Sequence, residues 1–591
     1  KFIFLFISEF GCPMQKIIHT LFFYLICIIT VYTQSNGNVL LILVDDLGYG
    51  DLSMAANPYL KTPHLDSLSG KSVRFTNFYV SPVCAPTRAS LLTGMYHQKV
   101  GVQNVTNGFE MLDPNALTMA EILRKVGYKT ALFGKWHLGE YYPSTPNAQG
   151  FDYYLGFKTG HTADYYHPML EENETVHRFP GYITDILTDN ALDFIASAGA
   201  EPFFCYLAYN APHTPLQIDS SYVTPFLAAG LDERTARVYG MVKNLDDNIG
   251  KLLSGLTELG KASNTLVIFM SDNGPISGWQ VPQSEMRYNA GLRDQKFTIY
   301  EGGTRTQCFW YWPGKIEGKV VEDVAAHIDV LPTILDLLEW PDHHKLGMDG
   351  RSLLPSIEGR HKDHYYFQRY DLQSVGSTDP YPGGIARKGD WKLVDGKALY
   401  NLRADIGESR DVHAQYPRRY KKMRRAYEHW WQEIVSESDL MKRPIPVGFR
   451  EAPKVYLQPH HALATGHLKF AGRRGLLGEK IGFHPSGVDG DWVVGWQTVA
   501  DQLTWDIYIQ EDSWFDMGII GEQWEKLPKK VNILIDAKSV GALEMIHDTQ
   551  DILGKNRVFL EKGSHKVSVK IIDTLSNADI ILNALLIKKV D

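Results

Sequence analysis

The run Asn38-Val39-Leu40-Leu41-Ile42-Leu43-Val44, with the pair Asp45-Asp46 that ends it, decides the fold. Unbroken apolar residues from Val39 to Val44 suit a strand buried on both faces, as in parallel sheets covered by helices. Two adjacent carboxylates at the end of such a strand are costly unless paired or metal-bound. In open α/β sheets that carboxyl edge is where ligands bind. A second run, Leu266-Val267-Ile268-Phe269-Met270, ends in the same way, in Ser271-Asp272-Asn273-Gly274.

Outward from this strand the pattern alternates. Strands are expected over 73–80, 128–133, 203–209 and 306–312, and helices over 118–126, 184–196, 235–259 and 327–338. Thr62-Pro63 adds an N-cap and first-turn proline to a short helix. This order predicts an α/β domain with a large mixed, mostly parallel sheet flanked by helices. Short strands with turn signals over 364–400, then a helix over 416–435, predict a small antiparallel subdomain. That helix carries Arg418, Arg419, Lys421, Lys422, Arg424 and Arg425, read as a solvated face or as a patch for an anionic glycan. The prolines of 441–460 suggest a linker, and the β-branched segments after it an appended all-β sandwich. The expected boundaries are 1–36 for upstream residues and a signal peptide, 37–360, 361–440, 441–460 and 461–591.

With 591 residues the chain needs more than one core. A net charge of -8 disfavours a general nucleic-acid binder. Met14-Gln15-Lys16, the apolar stretch 17–32 and a polar end read as a secretory leader, so no stable membrane anchor is expected. The route would end in the periplasm or outside the cell, or in a lysosome for a eukaryotic chain. Cys12 and Cys27 fall in that leader. Cys205 and Cys308 lie in strand-like runs and read as buried small hydrophobes.

Cys84 is the thiol in polar company. It sits in Ser81-Pro82-Val83-Cys84-Ala85-Pro86-Thr87-Arg88, at the mouth of an expected helix whose free N–H groups attract anions. Taken locally, a buried structural thiol and a reactive group are both open. Asp45, Asp46, Asp272 and Asn273 are hard oxygen donors that suit Ca2+, and less well Mg2+. Arg88, Lys135, Lys296, His137 and His213 add the cations and proton carriers that a tetrahedral anionic ester would meet.

At this point the chain resembles the type I sulfatases of the alkaline phosphatase superfamily. The resemblance rests on Cys84-Ala85-Pro86-Thr87-Arg88 with Ala89-Ser90-Leu91-Leu92-Thr93-Gly94, and on Gly134-Lys135-Trp136-His137-Leu138-Gly139. Val44-Asp45-Asp46, Ser271-Asp272-Asn273-Gly274 and Lys296 with Glu301-Gly302-Gly303-Thr304-Arg305 match in order and spacing. It implies that Cys84 is oxidised to formylglycine by a dedicated modifying enzyme. It also implies that Asp45, Asp46, Asp272, Asn273 and the modified Cys84 hold Ca2+. One hydroxyl of the aldehyde hydrate would attack sulfur. Arg88 and Lys135 would stabilise the hydrate, and Lys135 and Lys296 the sulfate oxygens. His213, with Lys296, would protonate the leaving alcohol. His137 would take the second hydroxyl's proton to expel sulfate. Some members place a serine near the sulfate; here Gly160 stands at the corresponding place, with His161 beside it as a candidate pocket residue.

The expected substrate is a sulfated sugar or polysaccharide. Specificity would come from loops 101–116, 141–180 and 275–290. A phosphate or phosphonate ester hydrolase of the same superfamily, and an inactive glycan-binding homologue, are the alternatives. The sandwich is loosely similar to carbohydrate-binding modules, with a purely structural cap as the other reading.

Overall fold

The computed structural model describes residues 37–276, 287–340, 343–361, 363–471, 492–523, 530–544, 556–571 and 580–590. The leader with Cys12 and Cys27, and most of loop 275–290, lie outside the described residues. Among those described, no helix is long and apolar enough to cross a membrane.

The large sheet has eleven strands: β1 (Asn38–Val44), β2 (Val73–Tyr79), β3 (Lys129–Lys135), β4 (Tyr153–Phe157), β5 (Met169–Glu172), β6 (Thr175–Arg178), β7 (Phe203–Tyr209), β8 (Thr265–Ser271), β9 (Arg305–Tyr311), β10 (Lys319–Val321) and β11 (Ala325–Ala326). Their order is β10-β2-β9-β8-β1-β7-β3-β4-β5-β6, with β11 beside β2. The centre, β8-β1-β7-β3-β4, is parallel, while β9 runs antiparallel to both β8 and β2. This is the mixed, mostly parallel sheet expected.

β1 shows why its residues make a central strand. Leu40, Ile42 and Val44 enter one core with the helices Pro63–Lys71, Ile183–Ser197 and Glu233–Glu258. Val39, Leu41 and Leu43 enter the opposite core with Cys84–Thr93 and Val330–Leu337. Period-two side chains that are apolar on both sides can be satisfied only by helices on both faces. Cys205 and Cys308 are fully buried in β7 and β9, and burial raises both thiols' pKa.

The small subdomain is an antiparallel sheet of Tyr366–Arg369, Gly384–Lys388, Trp391–Val394 and Ala398–Asn401, covered by the helix Pro417–Glu437. Met423, Tyr427, Trp430, Trp431 and Ile434 form that helix's inner stripe. Its outer side helps to line a surface groove with Lys388, Arg418, Arg419 and Lys422. The subdomain is tied to the large sheet by a buried ion network. Lys392 Nζ donates to Glu301 Oε1 at 2.9 Å and lies 3.0 Å from Glu408 Oε1. Glu408 Oε2 accepts the Glu301 N–H, and Glu301 Oε2 accepts the Tyr79 hydroxyl. The Glu301-Gly302-Gly303-Thr304-Arg305 stretch therefore joins two sheets.

The residues beyond form two six-stranded sheets packed face to face, as the β-rich sequence suggested. The stretch 441–460 is not a free linker. Ile445–Val447 pairs parallel with Gln502–Ile509, and Lys454–Leu457 pairs antiparallel with Ile580–Val590. Its prolines suggested a spacer, but Pro446 sits on an edge strand, where the missing N–H is tolerated. The sequence reading also missed the strands Ser513–Gln523 and Lys538–Glu544. Both contain glycine, and pairing stabilises them despite low local propensity: the first with the distant Ile580–Val590, the second in a hairpin with the preceding Lys530–Ile535.

Lys392→Met should leave Glu301 and Glu408 facing each other in the interior. The expected loss is about 3–5 kcal/mol, read from urea unfolding followed by tryptophan fluorescence. A change below 1 kcal/mol, or about one experimental error, would contradict the network's role.

Candidate active site

Strand register assembles the site. Val44 lies opposite Ser271 on one side and Tyr209 on the other, and Gly134 lies opposite Ala208. One to four residues beyond these positions, the chain places Asp45-Asp46, Asp272-Asn273, Asn210 to His213, and Lys135 to His137 along one sheet edge. The helix Cys84–Thr93 brings its first residue to the same place, and all ten of its residues are buried. Gly94, at φ 67°, ends it by returning its N–H to Ser90 O at 2.8 Å.

Each carboxylate has its own cation. Lys135 Nζ donates to Asp45 Oδ2 at 2.7 Å, and Lys296 Nζ to Asp46 Oδ1 at 2.6 Å. Arg88 Nη2 and Nε donate to Asp272 Oδ2 at 2.8 and 3.2 Å, and its Nη1 to Lys135 O at 2.8 Å. Burial alone would raise the Asp46 pKa, but Lys296 and His213 hold it below the usual carboxylate range. Burial, with Asp45 beside it, pushes Asp272 up to about 6 against the pull of Arg88.

Three oxygens are left over. Asp45 Oδ1, Asp46 Oδ2 and Asn273 Oδ1 are buried without a hydrogen-bond partner. Ligand atoms of Asp45, Cys84 and Asp272 lie within 4.8 Å of one another. Orphaned buried acceptors are expensive, and a hard divalent cation is what such an oxygen set accommodates. The residues present therefore fit Ca2+.

Proton positions follow from the hydrogen bonds. His137 Nε2 lies 2.8 Å from the carbonyl of Val105, an acceptor only, so Nε2 carries the hydrogen. Nδ1 then presents its lone pair to Cys84 Sγ at 3.2 Å. Burial, reinforced by Lys135, keeps the His137 pKa well below its ordinary value. His213 Nδ1 faces the carbonyl of Thr214 at 2.8 Å, and Nε2 lies 3.8 Å from Asp46 Oδ2. Burial pushes its pKa down to about 3, although Asp46 opposes the shift. The Cys84 thiol is raised by burial, with Lys135 and Lys296 acting against it, so it rests as a neutral thiol.

Asp46 and His137 adopt φ of 65° and 60°, an uncommon region for side-chain-bearing residues that clusters at functional sites. Asp46 is braced there by Arg287, whose Nη2 donates to Asp46 O at 2.7 Å while its guanidinium is paired with buried Asp51. Arg287 and Asp51 were missed by the sequence reading; the only local hint was an acid just beyond Asp45-Asp46. Tyr370 was also missed. It reaches in from the small subdomain, and its hydroxyl donates to Asn104 Oδ1 at 3.0 Å. Asn104, part of a glycosylation-type triplet, is thereby buried.

Ten of the eleven sequence candidates thus meet at one edge: Asp45, Asp46, Cys84, Arg88, Lys135, His137, His213, Asp272 and Asn273 on or beside the central strands, with Lys296 completing the set from its loop. His161 is half-buried in the loop after β4, and its carbonyl accepts the Thr159 hydroxyl at 2.7 Å. Gly160 has a steric reason to lack a side chain, since a Cβ there would sit 2.7 Å from His137 Nε2.

Residues 37–340 match the family profile described as Sulfatase. The chain is 29% identical over 479 residues to the N-acetylgalactosamine-6-O-sulfatase of Bacteroides thetaiotaomicron, covering 65% of this chain and 91% of that protein. It is 34% identical to the human N-acetylgalactosamine-6-sulfatase, covering 56% of this chain and 67% of that protein. Among solved structures it resembles Ps i-CgsB in complex with k-i-k-neocarrahexaose, with TM-score 0.60 and 29% identity, covering 67% of this chain and 93% of the other.

A cation bound by this set must compete with the Asp272 proton. The affinity of chelator-treated protein for Ca2+ should be level at neutral pH. It should weaken, by up to about tenfold per pH unit, as pH falls below about 6, as read by titration calorimetry.

Proposed function

The chain belongs to the sulfatase family and is a sulfuric ester hydrolase; on that premise we propose that it removes sulfate from a sulfated sugar or polysaccharide, using an aldehyde made from Cys84 and a bound Ca2+. The observation that carries this reading is the set of three orphaned oxygens beside Cys84, ringed by Lys135, Lys296 and Arg88. The sugar substrate is supported by the relatives, two of which are named for N-acetylgalactosamine 6-sulfate chemistry.

Asp45, Asp46, Asp272 and Asn273 would hold the ion, which would polarise a sulfate oxygen, and the oxidised Cys84 would supply the nucleophilic oxygen. Modification has a simple rationale here: the unmodified thiol is neutral and buried. Lys135 and Lys296 would meet charge on the sulfate oxygens, and Arg88 fixes Asp272 and the Lys135 carbonyl. His137 Nδ1, already an acceptor toward position 84, is the base for a hydroxyl there. His213 starts neutral, so its role as acid requires the negative charge of bound substrate to raise its pKa. The leader-like segment supports a secretory route, and oxidation of Cys84 requires a modifying enzyme as partner. The sandwich would hold the polysaccharide or cap the catalytic domain.

The phosphate-ester alternative fits less well, since zinc phosphatases of that kind lean on imidazole ligands and a hydroxyl nucleophile, whereas the donors here are oxygens next to a cysteine. The test is sulfate release from a panel of sulfated oligosaccharides, by protein whose Cys84 peptide has been shown by mass to carry the aldehyde. Release from at least one member, with aryl phosphate turned over far more slowly, is the expected result. No release from aldehyde-bearing protein would support the inactive-homologue reading.

His213→Ala should separate acid catalysis from binding. Hydrolysis of a sugar sulfate, with its poor leaving group, should fall by about 10²–10⁴. An aryl sulfate with an acidic phenol should lose much less, and equal losses on both would remove His213 from that role.

A further inference from the structure

A second cluster of metal-ligating side chains lies where the catalytic domain meets the sandwich. Glu110 comes from the loop after the Cys84 helix, and Glu140 directly follows Gly139. His460 and His461 come from the 3-10 turn Pro459–His461 that leads into the sandwich. His461 Nε2 is 2.8 Å from Glu110 Oε1 and 3.6 Å from Glu140 Oε1, and His460 Nε2 is 2.8 Å from the same Glu140 oxygen. The His461 side chain is fully buried and that of Glu110 nearly so, while the His460 and Glu140 side chains are 21% and 15% exposed.

We propose that Glu110, Glu140, His460 and His461 form a structural site for a divalent transition ion of the zinc type, clamping the sandwich to the catalytic domain. Two imidazole nitrogens and two carboxylate oxygens form a donor set that tetrahedral zinc accepts and calcium does not favour. Bonds of about 2.0–2.2 Å in a tetrahedron put neighbouring donors about 3.3–3.5 Å apart; the ligand atoms of Glu140, His460 and His461 lie within 4.8 Å of one another, and Glu110 joins that group through His461 at 2.8 Å. The two carboxylates balance the dication. The surrounding contacts also suit a ligand: His461 Nδ1 is 2.7 Å from the Tyr141 hydroxyl, which accepts the Gln458 N–H at 3.0 Å. Such a partner on the far ring nitrogen fixes the imidazole's orientation and leaves Nε2 for the metal. A subsite for a sulfated glycan fits poorly, because two carboxylates would repel it. The clamp would also steady the loop that carries Val105, whose carbonyl holds His137 in its working tautomer.

The test uses the full chain without a histidine tag. After incubation with Zn2+ and removal of loose metal, elemental analysis should find one zinc per chain. In Glu110→Gln/His460→Ala that zinc should be lost while calcium content is unchanged. With Co2+ in place of Zn2+, the wild type should show the visible absorption of a tetrahedral site and the double variant should not. Retention of zinc far below one per chain by the wild type, or equal retention and absorption by both proteins, would overturn the proposal. If the double variant fails to fold, zinc content and cobalt absorption of the wild type decide it alone.

Discussion

Opposite charges held a hydrogen bond apart, in an interior short of water, are what the rest of this structure depends on. Asp45, Asp46 and Asp272 are fully buried within a few ångströms of one another, which would be prohibitive for bare carboxylates. Lys135, Lys296 and Arg88 each neutralise one of them. Three negative and three positive side chains leave the cluster close to neutral, so the chain can fold around it. A divalent ion seated on the remaining oxygens would tip the balance positive, as suits a pocket for an anionic ester.

That balance demands a rigid frame. Four parallel strands end together at the centre of an eleven-stranded sheet, and a buried helix offers its first residue to the same point. The strained conformations of Asp46 and His137 persist because Arg287 and the Val105 carbonyl hold them from outside the set. A base whose lone pair must aim at position 84 needs its other nitrogen tied down. The loop carrying Val105 does so, and that loop continues to Glu110 at the sandwich junction. Substrate pocket and domain interface are therefore linked by only a few residues of chain.

The small subdomain takes part as well. Lys392 and Glu408 meet Glu301 in the interior, and the Tyr370 hydroxyl donates to Asn104. Residues more than 200 positions from Cys84 thus shape its surroundings. Specificity in this fold can change through such outlying contributions while the central charges stay in place.

The sequence alone determined the chemistry and the class of fold. Both are written locally: apolar runs long enough for buried strands, acids at their ends, and a cysteine, proline and arginine spaced along one helical turn. Seven of the eleven site candidates follow from the rule that parallel strands end at a common edge, Cys84 and Arg88 from the helix that starts there and Lys296 from its loop, and His161 had no comparable rule behind it. Tertiary structure decided which cation pairs with which acid, since that depends on the register of β1 against β7 and β8. It also decided that Arg287, Asp51 and Tyr370 belong to the site, that 441–460 joins the sandwich, and that His460 and His461 meet Glu110 and Glu140. Those contacts join residues far apart in the chain, and no local period or propensity encodes which distant surface a side chain will meet.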